Sequence, residues 1–408
     1  MHFFYNLGII GYGIFLRIAA LFNPKAKKWV IGRTNWRKNV TDNYVSSSTC
    51  IWFHCASLGE FEQGRPLIEK IKKLNPNQKI VLTFFSPSGY EIRKNYELVD
   101  LVSYLPLDTP KNARDFIRLI NPSQAYFIKY EFWANYLFEL QTKEIPVYCV
   151  SGLFRKEQRF FKKNNHFFKQ VLHTFSHFFV QNESSAKLLS DIGLTNVTIS
   201  GDTRYDRVIE NATRTQPHPI LERFKSTEIV CVIGSSWSID ESLIMPLINN
   251  GLLNNRIVIA PHETNSAHIT QLEKLLTTKS IKLSECTITT NFDDIRVLII
   301  DSIGLLANAY QYGDYAYVGG AFGKGLHNIL EPAVFGLPVI FGPHHQKFPE
   351  AQQFIDAGIG FSITSSELFL AKRAYILDHL EELTKKTKSF IHSQSGASTI
   401  ILNHISNS

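Results

Sequence analysis

The sequence predicts an α/β protein made of two doubly wound domains in tandem, preceded by an apolar helix. Three observations predict this fold. The chain has 408 residues, which is more than one hydrophobic core usually supports. Two sets of short β-rich runs alternate with amphipathic helical segments, as in parallel sheets covered by helices. A polar, proline-containing stretch separates the two sets.

Residues 1–40 are predicted to form a membrane anchor and a basic juxtamembrane segment. Residues 3–22 are an apolar run interrupted by Asn6 and Arg17, about 30 Å long as a helix. The run either spans a bilayer or lies in its interface; the alternative is a hydrophobic helix packed on the soluble body. The positive-inside rule and attraction to anionic lipid would keep the basic residues of segment 25–38 on the cytoplasmic side of the membrane.

The remainder of the chain is electrically neutral. Seven basic residues and no acidic residue precede Asp42, and these seven account for the whole formal net charge of +7. A neutral body argues against nucleic acid as a partner, because nucleic-acid surfaces need basic residues on a folded domain. The five cysteines form no CxxC pair, which argues against a disulfide framework and fits a reducing compartment.

Residues 41–206 are predicted to be the first doubly wound domain. Its β-rich runs are nearly continuous in hydrophobicity, as strands covered on both faces are. The predicted strands are 50–55, 79–84, 125–130, 146–150 and 177–181, and the predicted helices include 66–74, 111–120 and 183–192. Residues 207–228, which contain Pro217 and Pro219, are predicted to be the linker between the domains.

Residues 229–390 are predicted to be the second domain, followed by a tail at 391–408. The second set of predicted strands is 229–236, 256–261, 296–300, 314–320 and 338–342, and 366–391 has a helical pattern. Ligands of such folds bind at the carboxyl ends of the strands. The sequence therefore predicts a ligand cleft between the carboxyl ends of the two sheets.

The first candidate for chemistry is the motif H-C-A-S-L-G-E at 54–60, directly after the first strand. Pro66 lacks an N–H group, so we expect it in the first turn of the next helix. Glu60 would then lie at or just before the helix start and face the cleft. A carboxylate there can accept a proton from an attacking hydroxyl, or it can merely complement the helix dipole.

The second candidate is the glycine-rich segment 319–333, which contains Lys324. It follows a predicted strand and precedes a helix, so its backbone N–H groups suit a phosphate. His327 or Asn328 can cap the helix, and Glu331 in its first turn can accept two ribose hydroxyls or complete a capping box. The alternative is a glycine-rich loop without a ligand.

Two further segments place charges near strand ends. Glu131 follows the third strand, and Arg204 precedes the linker, where it could balance developing phosphate charge. Each of them, taken alone, also fits a surface ion pair. The adjacent His344 and His345 do not form a metal-ligand pattern, and no G-x-S-x-G elbow is present.

Taken together, these motifs resemble the 3-deoxy-D-manno-octulosonic acid (Kdo) transferase family of lipid A assembly, which has the two-domain GT-B fold with two Rossmann-like domains facing a cleft. The resemblance runs from the apolar N-terminus to about residue 360. It is carried by H-C-A-S-L-G-E (54–60), Y-E-F-W-A-N (130–135), G-D-T-R-Y-D (201–206), D-S-I-G (301–304), V-G-G-A-F-G-K-G-L-H-N-I-L-E-P-A (318–333) and G-L-P-V-I-F-G-P (336–343).

The resemblance implies an inverting transfer of Kdo from CMP-Kdo to a lipid A precursor, with no catalytic metal or other cofactor. It implies Glu60 as the general base and Glu131 and Arg204 as groups that stabilise the transition state. The acceptor would bind to the first domain and CMP-Kdo to the second. The implied donor-binding residues are Ser235, Ser236, Pro261, His262, Ile303, Gly304, Leu305, Asn328, Ile329, Leu330 and Glu331.

The sequence departs from the family pattern at several of these positions. The family commonly has Arg at the position of His262, Lys at that of Arg204 and Glu at that of Leu305. Two alternatives to Kdo transfer follow from the same features. One is another GT-B enzyme that uses a UDP-hexose donor; the other is a non-catalytic, membrane-associated lipid-binding protein.

Overall fold

The structure is a computed structural model that describes residues 1–44, 49–162, 165–323 and 325–406. It divides into two compact units. Unit 1 consists of residues 1–207 together with 395–408, and unit 2 consists of residues 208–394. The segment 207–228, predicted as a linker, contains the end of one helix and the whole of another.

Unit 1 is a seven-stranded parallel sheet with the strand order β3-β2-β1-β4-β5-β6-β7. The strands are β1 (Cys50–Cys55), β2 (Lys79–Phe84), β3 (Leu101–Tyr104), β4 (Pro122–Ile128), β5 (Val147–Gly152), β6 (His177–Val180) and β7 (Val197–Ile199). The helices are α1 (His2–Ala19), α2 (Pro24–Ile31), α3 (Trp36–Asn43), α4 (Leu58–Leu74), α5 (Pro87–Arg93), α6 (Pro110–Ile120), α7 (Ala134–Thr142), α8 (His166–Leu172), α9 (Glu183–Ser190) and α10 (Thr203–Arg214), with a 3₁₀ turn at Arg159–Phe161.

Unit 2 is a second seven-stranded parallel sheet, with the order β10-β11-β9-β8-β12-β13-β14. The strands are β8 (Val230–Ser236), β9 (Arg256–Pro261), β10 (Ser280–Lys282), β11 (Val297–Ile299), β12 (Tyr315–Val318), β13 (Val339–Phe341) and β14 (Gly360–Ser362). The helices are α11 (Pro219–Lys225), α12 (Ser238–Asn249), α13 (Ser266–Leu275), α14 (Leu306–Tyr310), α15 (Leu330–Ala333), α16 (Pro349–Asp356), α17 (Ser366–Asp378) and α18 (Leu380–Ser393), with a 3₁₀ turn at Leu283–Glu285. The last helix, α19 (Ala397–Ser406), belongs to unit 1.

The predicted pair of doubly wound α/β domains is confirmed. Alternate residues of β1 enter two different cores, with Trp52 on one face of the sheet and Phe53 on the other. Both side chains are fully buried. This explains the continuous hydrophobicity of the strands, because both faces of a parallel sheet are covered by helices.

The local predictions were wrong in several respects. The four edge strands, each three or four residues long, were missed: β3, β7, β10 and β14. Pro66 does not lie in the first turn of α4. The helix begins at Leu58, and Pro66 lies inside it, so Glu60 is the third residue of the helix instead of preceding it.

The apolar run at the N-terminus forms α1, which packs on unit 1 along one face. The Tyr5 hydroxyl donates to Asp108 at 2.5 Å, and Gly13 lies so close to Leu107 that a Cβ atom would come within 2.7 Å of it. The other face is exposed and apolar: Phe3, Phe4, Leu7, Ile10, Ile14, Phe15 and Ile18. Among the described residues, no helix has the length and hydrophobicity that crossing a membrane requires.

The helix α19 is attached to unit 1 through the carboxylate of Asp206. This carboxylate accepts hydrogen bonds from the backbone N–H groups of Gly396 and Ser398, at 2.6 and 2.7 Å, and from the Ser398 hydroxyl at 2.5 Å. Ile401 then packs in the core on one face of the sheet. Asp206 therefore acts as the N-cap partner of a helix nearly two hundred residues away in sequence.

We expect Asp206→Ala to lower the free energy of unfolding of unit 1 by about 2 kcal/mol, because charge-assisted bonds to helix N–H groups are lost. Urea denaturation measures the change, and hydrogen exchange should show faster exchange confined to residues 397–406. The exposed Asp293→Ala is the control and should be neutral. Unchanged exchange in α19 would contradict this role of Asp206.

Candidate active site

The candidate residues of each unit lie where the strand order of its sheet reverses. In unit 1 the chain leaves β1 toward one side of the sheet and β4 toward the other. In unit 2 the same reversal occurs between β8 and β12. The loops that follow two such strands diverge and leave a crevice at their carboxyl ends, which is where doubly wound folds bind ligands. Each unit is described separately below.

In unit 1, Glu60 lies in the first turn of α4, immediately after β1. The Ser57 hydroxyl donates a short hydrogen bond to Glu60 Oε2. Lys129, which directly follows β4, places its Nζ 3.7 Å from Glu60 Oε1. The Glu60 side chain is 15% exposed, so the carboxylate is held in place but still accessible. The contact therefore links the segment after β1 to the segment after β4, the two strands between which the strand order reverses.

The backbone at Lys129 adopts φ of 74°, a left-handed conformation that non-glycine residues rarely adopt. This turn ends β4 two residues earlier than predicted and directs the following residues across the end of the sheet. Strained residues of this kind concentrate at functional sites. The same conformation occurs at Ser151, near the end of β5, and at Ser235, near the end of β8.

Glu131 lies close to Glu60 and differs from it electrostatically. Burial, and then the negative charge of Glu60, raise the pKa of Glu131 to about 7. Its surroundings are largely aromatic: with the start of α1 and with α8 it lines a pocket of about 700 Å³. A carboxyl group with this pKa exchanges a proton near neutral pH and can either donate or accept a hydrogen bond.

His54, near the end of β1, fixes the position of the Trp133 side chain. It is fully buried, and burial together with the charge of Arg33 lowers its pKa to about 3, so the ring is neutral. The Trp133 indole donates to His54 Nε2 at 3.1 Å, which leaves the proton on Nδ1 to be donated to the Thr83 hydroxyl at 2.9 Å. The pattern H-C-A-S therefore begins with a packed histidine that fixes Trp133 beside Glu131.

Arg204 is bound to Asp202 instead of standing free. Its Nε and Nη2 lie 2.8 and 2.7 Å from Asp202 Oδ2, and Asp202 also accepts from Gln63 on α4 at 3.2 Å. Gln63 is three residues after Glu60, so the start of α10 packs directly against the helix that carries Glu60. The Arg204 side chain is 29% exposed, which leaves part of the guanidinium accessible.

In unit 2, Ser235 and Ser236 end β8 in different environments. Ser235 is partly exposed, with φ of 52°. Ser236 is buried, and its hydroxyl donates to Glu241 at 2.9 Å while its backbone carbonyl accepts from the N–H of His262. The Ser236 side chain is thus part of the framework, and Ser235 is the member of the pair that a ligand can reach.

Three rings stack beside these serines. Trp237 and His262 are stacked with their centroids 4.3 Å apart, and His262 and His327 lie 4.6 Å apart. The Trp237 indole donates to His327 Nε2 at 3.0 Å. The pKa of His327 is lowered, mainly by burial and then by His262. One indole and two imidazoles therefore pack together at the carboxyl end of β8.

The glycine-rich segment is not the open phosphate cradle that its sequence predicts, and Lys324 lies outside the described residues. The N–H of Gly319 donates to Gly234, that of Gly320 to buried Asp240, and those of Gly323 and Gly325 to the carbonyl of Gly320. A Cβ atom at Gly319 would approach the Ser235 carbonyl to 2.4 Å. These glycines permit close backbone packing, and their amide groups are already used.

The remaining predicted donor residues lie around two short helices. Asn328 caps α15: its side chain accepts from the N–H of Leu330 at 3.1 Å and donates to Glu331 at 3.0 Å. Ile329 and Leu330 are fully buried, so only their backbone could contact a ligand, and the same holds for buried Pro261. The turn Ile303-Gly304-Leu305 is exposed before α14, with Ile303 91% exposed.

Sequence reasoning missed several residues that complete the two sites. The sequence patterns did not single out Lys129, Ser57 or Trp237. A signal existed for Ser57, because it precedes Glu60 by three residues at a helix start. The contacts of Lys129 and Trp237 depend on which strands are neighbours. Within the described residues, no group of three or more His, Cys, Asp or Glu side chains could hold a metal ion; metal-independent chemistry stays a prediction.

Comparison with known protein families gives one clear match. Residues 32–207 match the family described as 3-deoxy-D-manno-octulosonic-acid transferase (kdotransferase). The chain is 26% identical to the 3-deoxy-D-manno-octulosonic acid transferase of Chlamydophila psittaci over 359 residues, which cover 85% of this chain and 82% of the relative. It is 24% identical to the transferase of the same description from Aquifex aeolicus, over 83% of this chain and 89% of the relative.

Comparison with solved structures shows the fold alone. UDP-GlcNAc 2-epimerase from Neisseria meningitidis superposes with a TM-score of 0.61 at 14% identity, covering 88% of this chain and all of that one. MurG from Acinetobacter baumannii superposes with a TM-score of 0.55 at 12% identity, covering 88% of this chain and 100% of that one. The arrangement of two doubly wound domains is therefore common to proteins of different activities.

We expect Glu60→Gln to lower the pKa of Glu131 from about 7, because the charge of Glu60 is one of the two causes that raise it. Burial remains, so the pKa should stay above the ordinary value. Titration of ¹³C-labelled glutamate carboxyl groups by NMR measures the change. Glu62→Gln, on the same helix, is the control and should leave Glu131 unaffected; equal shifts in both variants would contradict the proximity of Glu60 and Glu131.

Proposed function

We propose that this chain is a glycosyltransferase of the 3-deoxy-D-manno-octulosonic acid (Kdo) transferase family and that it transfers Kdo from CMP-Kdo to a lipid A precursor with inversion at the anomeric carbon. The similarity to Kdo transferases supports the sugar and the place in lipopolysaccharide synthesis. The nucleotide of the donor, the acceptor, the stereochemistry and the roles of individual residues are the proposal.

The observation that carries the proposal is the placement of Glu60. A carboxylate in the first turn of a helix, at a strand-order reversal, is accessible and held by Ser57 and Lys129. In the proposed step it takes the proton of a glucosamine hydroxyl. The hydroxyl oxygen forms a bond to the anomeric carbon of Kdo, the bond from that carbon to the phosphate oxygen breaks, and CMP leaves with the electron pair.

Glu131 and Arg204 are proposed to assist this step in different ways. With a pKa of about 7, Glu131 can donate a hydrogen bond to the acceptor when protonated, so it need not add a second negative charge beside Glu60. The Arg204 guanidinium is 29% exposed beside Asp202, and it would stabilise negative charge that develops during transfer.

The donor is proposed to bind in unit 2, beside the stack of Trp237, His262 and His327. Aromatic rings can stack on a nucleotide base. His262 is proposed to take the place of the Arg that the family commonly has at this position. Asn328 and Glu331 are proposed to contact the ribose, with Ser235 and the turn at residues 303–305 completing the site.

The acceptor is an amphiphile, and we propose that α1 carries the enzyme to the cytoplasmic face of the inner membrane. One face of α1 packs on unit 1 while large apolar side chains cover the other, so the helix can lie in the plane of the interface. The basic residues 25–38 would add attraction to anionic lipid.

We expect Glu60→Gln to lower the rate of Kdo transfer by about 10²–10⁴, the usual contribution of a general base, while CMP binding is retained. An assay with CMP-Kdo and lipid A precursor, read by product mass, measures transfer, and calorimetry measures CMP binding. The exposed Glu97→Gln is the control. Near-normal turnover by Glu60→Gln would refute the base, and use of a UDP-hexose in place of CMP-Kdo would refute the donor.

We expect the double substitution Phe3→Ser and Phe15→Ser to weaken binding to phospholipid vesicles at least tenfold, because two exposed aromatic side chains no longer enter the interface. Vesicle sedimentation measures the effect. Leu74→Ser with Ile92→Ser removes exposed apolar side chains elsewhere on unit 1 and serves as the control. If both pairs weaken binding equally, α1 is not the interfacial element.

A further inference from the structure

A groove of about 860 Å³ lies beside α1 in unit 1, and neither Glu60 nor Glu131 lines it. Its walls are α1, the segment from α2 to α3, and the residues before α6. Four cationic side chains line it: Arg17, Arg33, Arg37 and Lys38. None of the described residues that line it is acidic. The groove therefore concentrates positive charge without a carboxylate on its own walls.

Arg33 is the most informative of these residues. Its guanidinium donates to three backbone carbonyls, those of Leu105 and Phe85 at 2.8 Å and that of Trp29 at 3.2 Å. It also lies 3.8 Å from the centre of the Trp29 ring. Burial lowers the pKa of Arg33 to about 9. A half-buried cation held by neutral groups leaves positive charge that an anion would compensate.

The four cationic side chains differ in whether a carboxylate is paired with them. Arg37 is paired with Asp115 at 2.6 Å, and Lys38 with Asp42 at 2.5 Å, both at the outer edge of the groove. Neither Arg17 nor Arg33 lies within ion-pair distance of a carboxylate in the described part of the chain. Arg17 is exposed on the last turn of α1, so the uncompensated charge extends from the groove floor to its mouth.

The remaining wall is apolar and continues onto the exposed face of α1. Ile10 and Ile14 line the groove, yet they are 49% and 50% exposed and adjoin the apolar face proposed to enter the membrane. Leu107 forms the opposite side. A ligand that fits this combination has an anionic head for the cations and a hydrocarbon part for the isoleucines.

We propose that this groove binds the phosphate of a membrane phospholipid, with an acyl chain lying along Ile10 and Ile14. Arg17 and Lys38 contact the phosphate at the mouth, and Arg33 compensates it from below. Arginine suits this role because its guanidinium presents several N–H donors to phosphate oxygens. The proposal rests on the proposed interfacial position of α1 but not on the transfer reaction.

The test compares two pairs of charge-removing substitutions in the full chain. Arg17→Gln with Lys38→Gln changes the groove. Lys27→Gln with Lys28→Gln removes the same formal charge from exposed residues nearby that do not line it. Sedimentation with phosphatidylcholine vesicles, with and without phosphatidylglycerol, measures affinity. We expect the groove pair to lose at least about tenfold more affinity for the anionic vesicles than the control pair, because it loses direct phosphate contacts in addition to general attraction.

The other outcomes overturn the proposal in distinguishable ways. Equal weakening by both pairs would show diffuse attraction and no groove site, while the interfacial position of α1 would stand. Displacement of the protein from anionic vesicles by soluble glycerol 3-phosphate would show that the groove takes a free phosphate ester instead of a lipid. Absence of vesicle binding by the unaltered chain would overturn the interfacial position as well, and the Kdo-transfer assay would still test the chemistry independently.

Discussion

The reversal of strand order in each parallel sheet is the constraint on which both candidate sites depend. Two neighbouring strands send their loops to opposite sides, so the ends of β1 and β4, and of β8 and β12, are left uncovered. Glu60, Lys129 and Glu131 in unit 1, and Trp237 and His327 in unit 2, each follow one of these strands in the chain. Glu60 and Lys129 meet because β1 and β4 are hydrogen-bonded neighbours, although 69 positions separate the two residues in the sequence.

Packing of the backbone around these strand ends determines which groups are accessible. In unit 2, Asp240 accepts from the N–H groups of Trp237 and Gly320 and from the Tyr317 hydroxyl, and thereby joins the two loops of the reversal. Tight joining of this kind requires glycine where backbones approach, and it uses the amide groups that an open phosphate loop would offer. The ligand-facing surface is consequently made of side chains, above all the rings of Trp237, His262 and His327.

The helix α1 combines a packed face with a face that has no covering within the described chain. The hydrogen bond from Tyr5 to buried Asp108 and the close approach of Gly13 to Leu107 fix its position on unit 1. The same helix forms one wall of the aromatic pocket that contains Glu131 and one wall of the basic groove that contains Arg33. A single helix therefore borders both the carboxyl groups of unit 1 and the surface proposed to contact the membrane.

The sequence by itself determined the two-domain α/β architecture, the longer strands and the segments that carry chemistry, because hydrophobic periodicity and strand-to-helix motifs are local properties of the chain. It also indicated Glu60 and Glu331 by their positions near helix starts. Only the tertiary structure decided that Lys129 holds Glu60, that Ser236 is buried, and that the glycine amides are occupied. The first depends on which strands are neighbours and the others on how the loops fold and pack, and local sequence patterns encode neither. The contact of Asp202 with Arg204 is local, but its link to the helix that carries Glu60 runs through Gln63 and is tertiary.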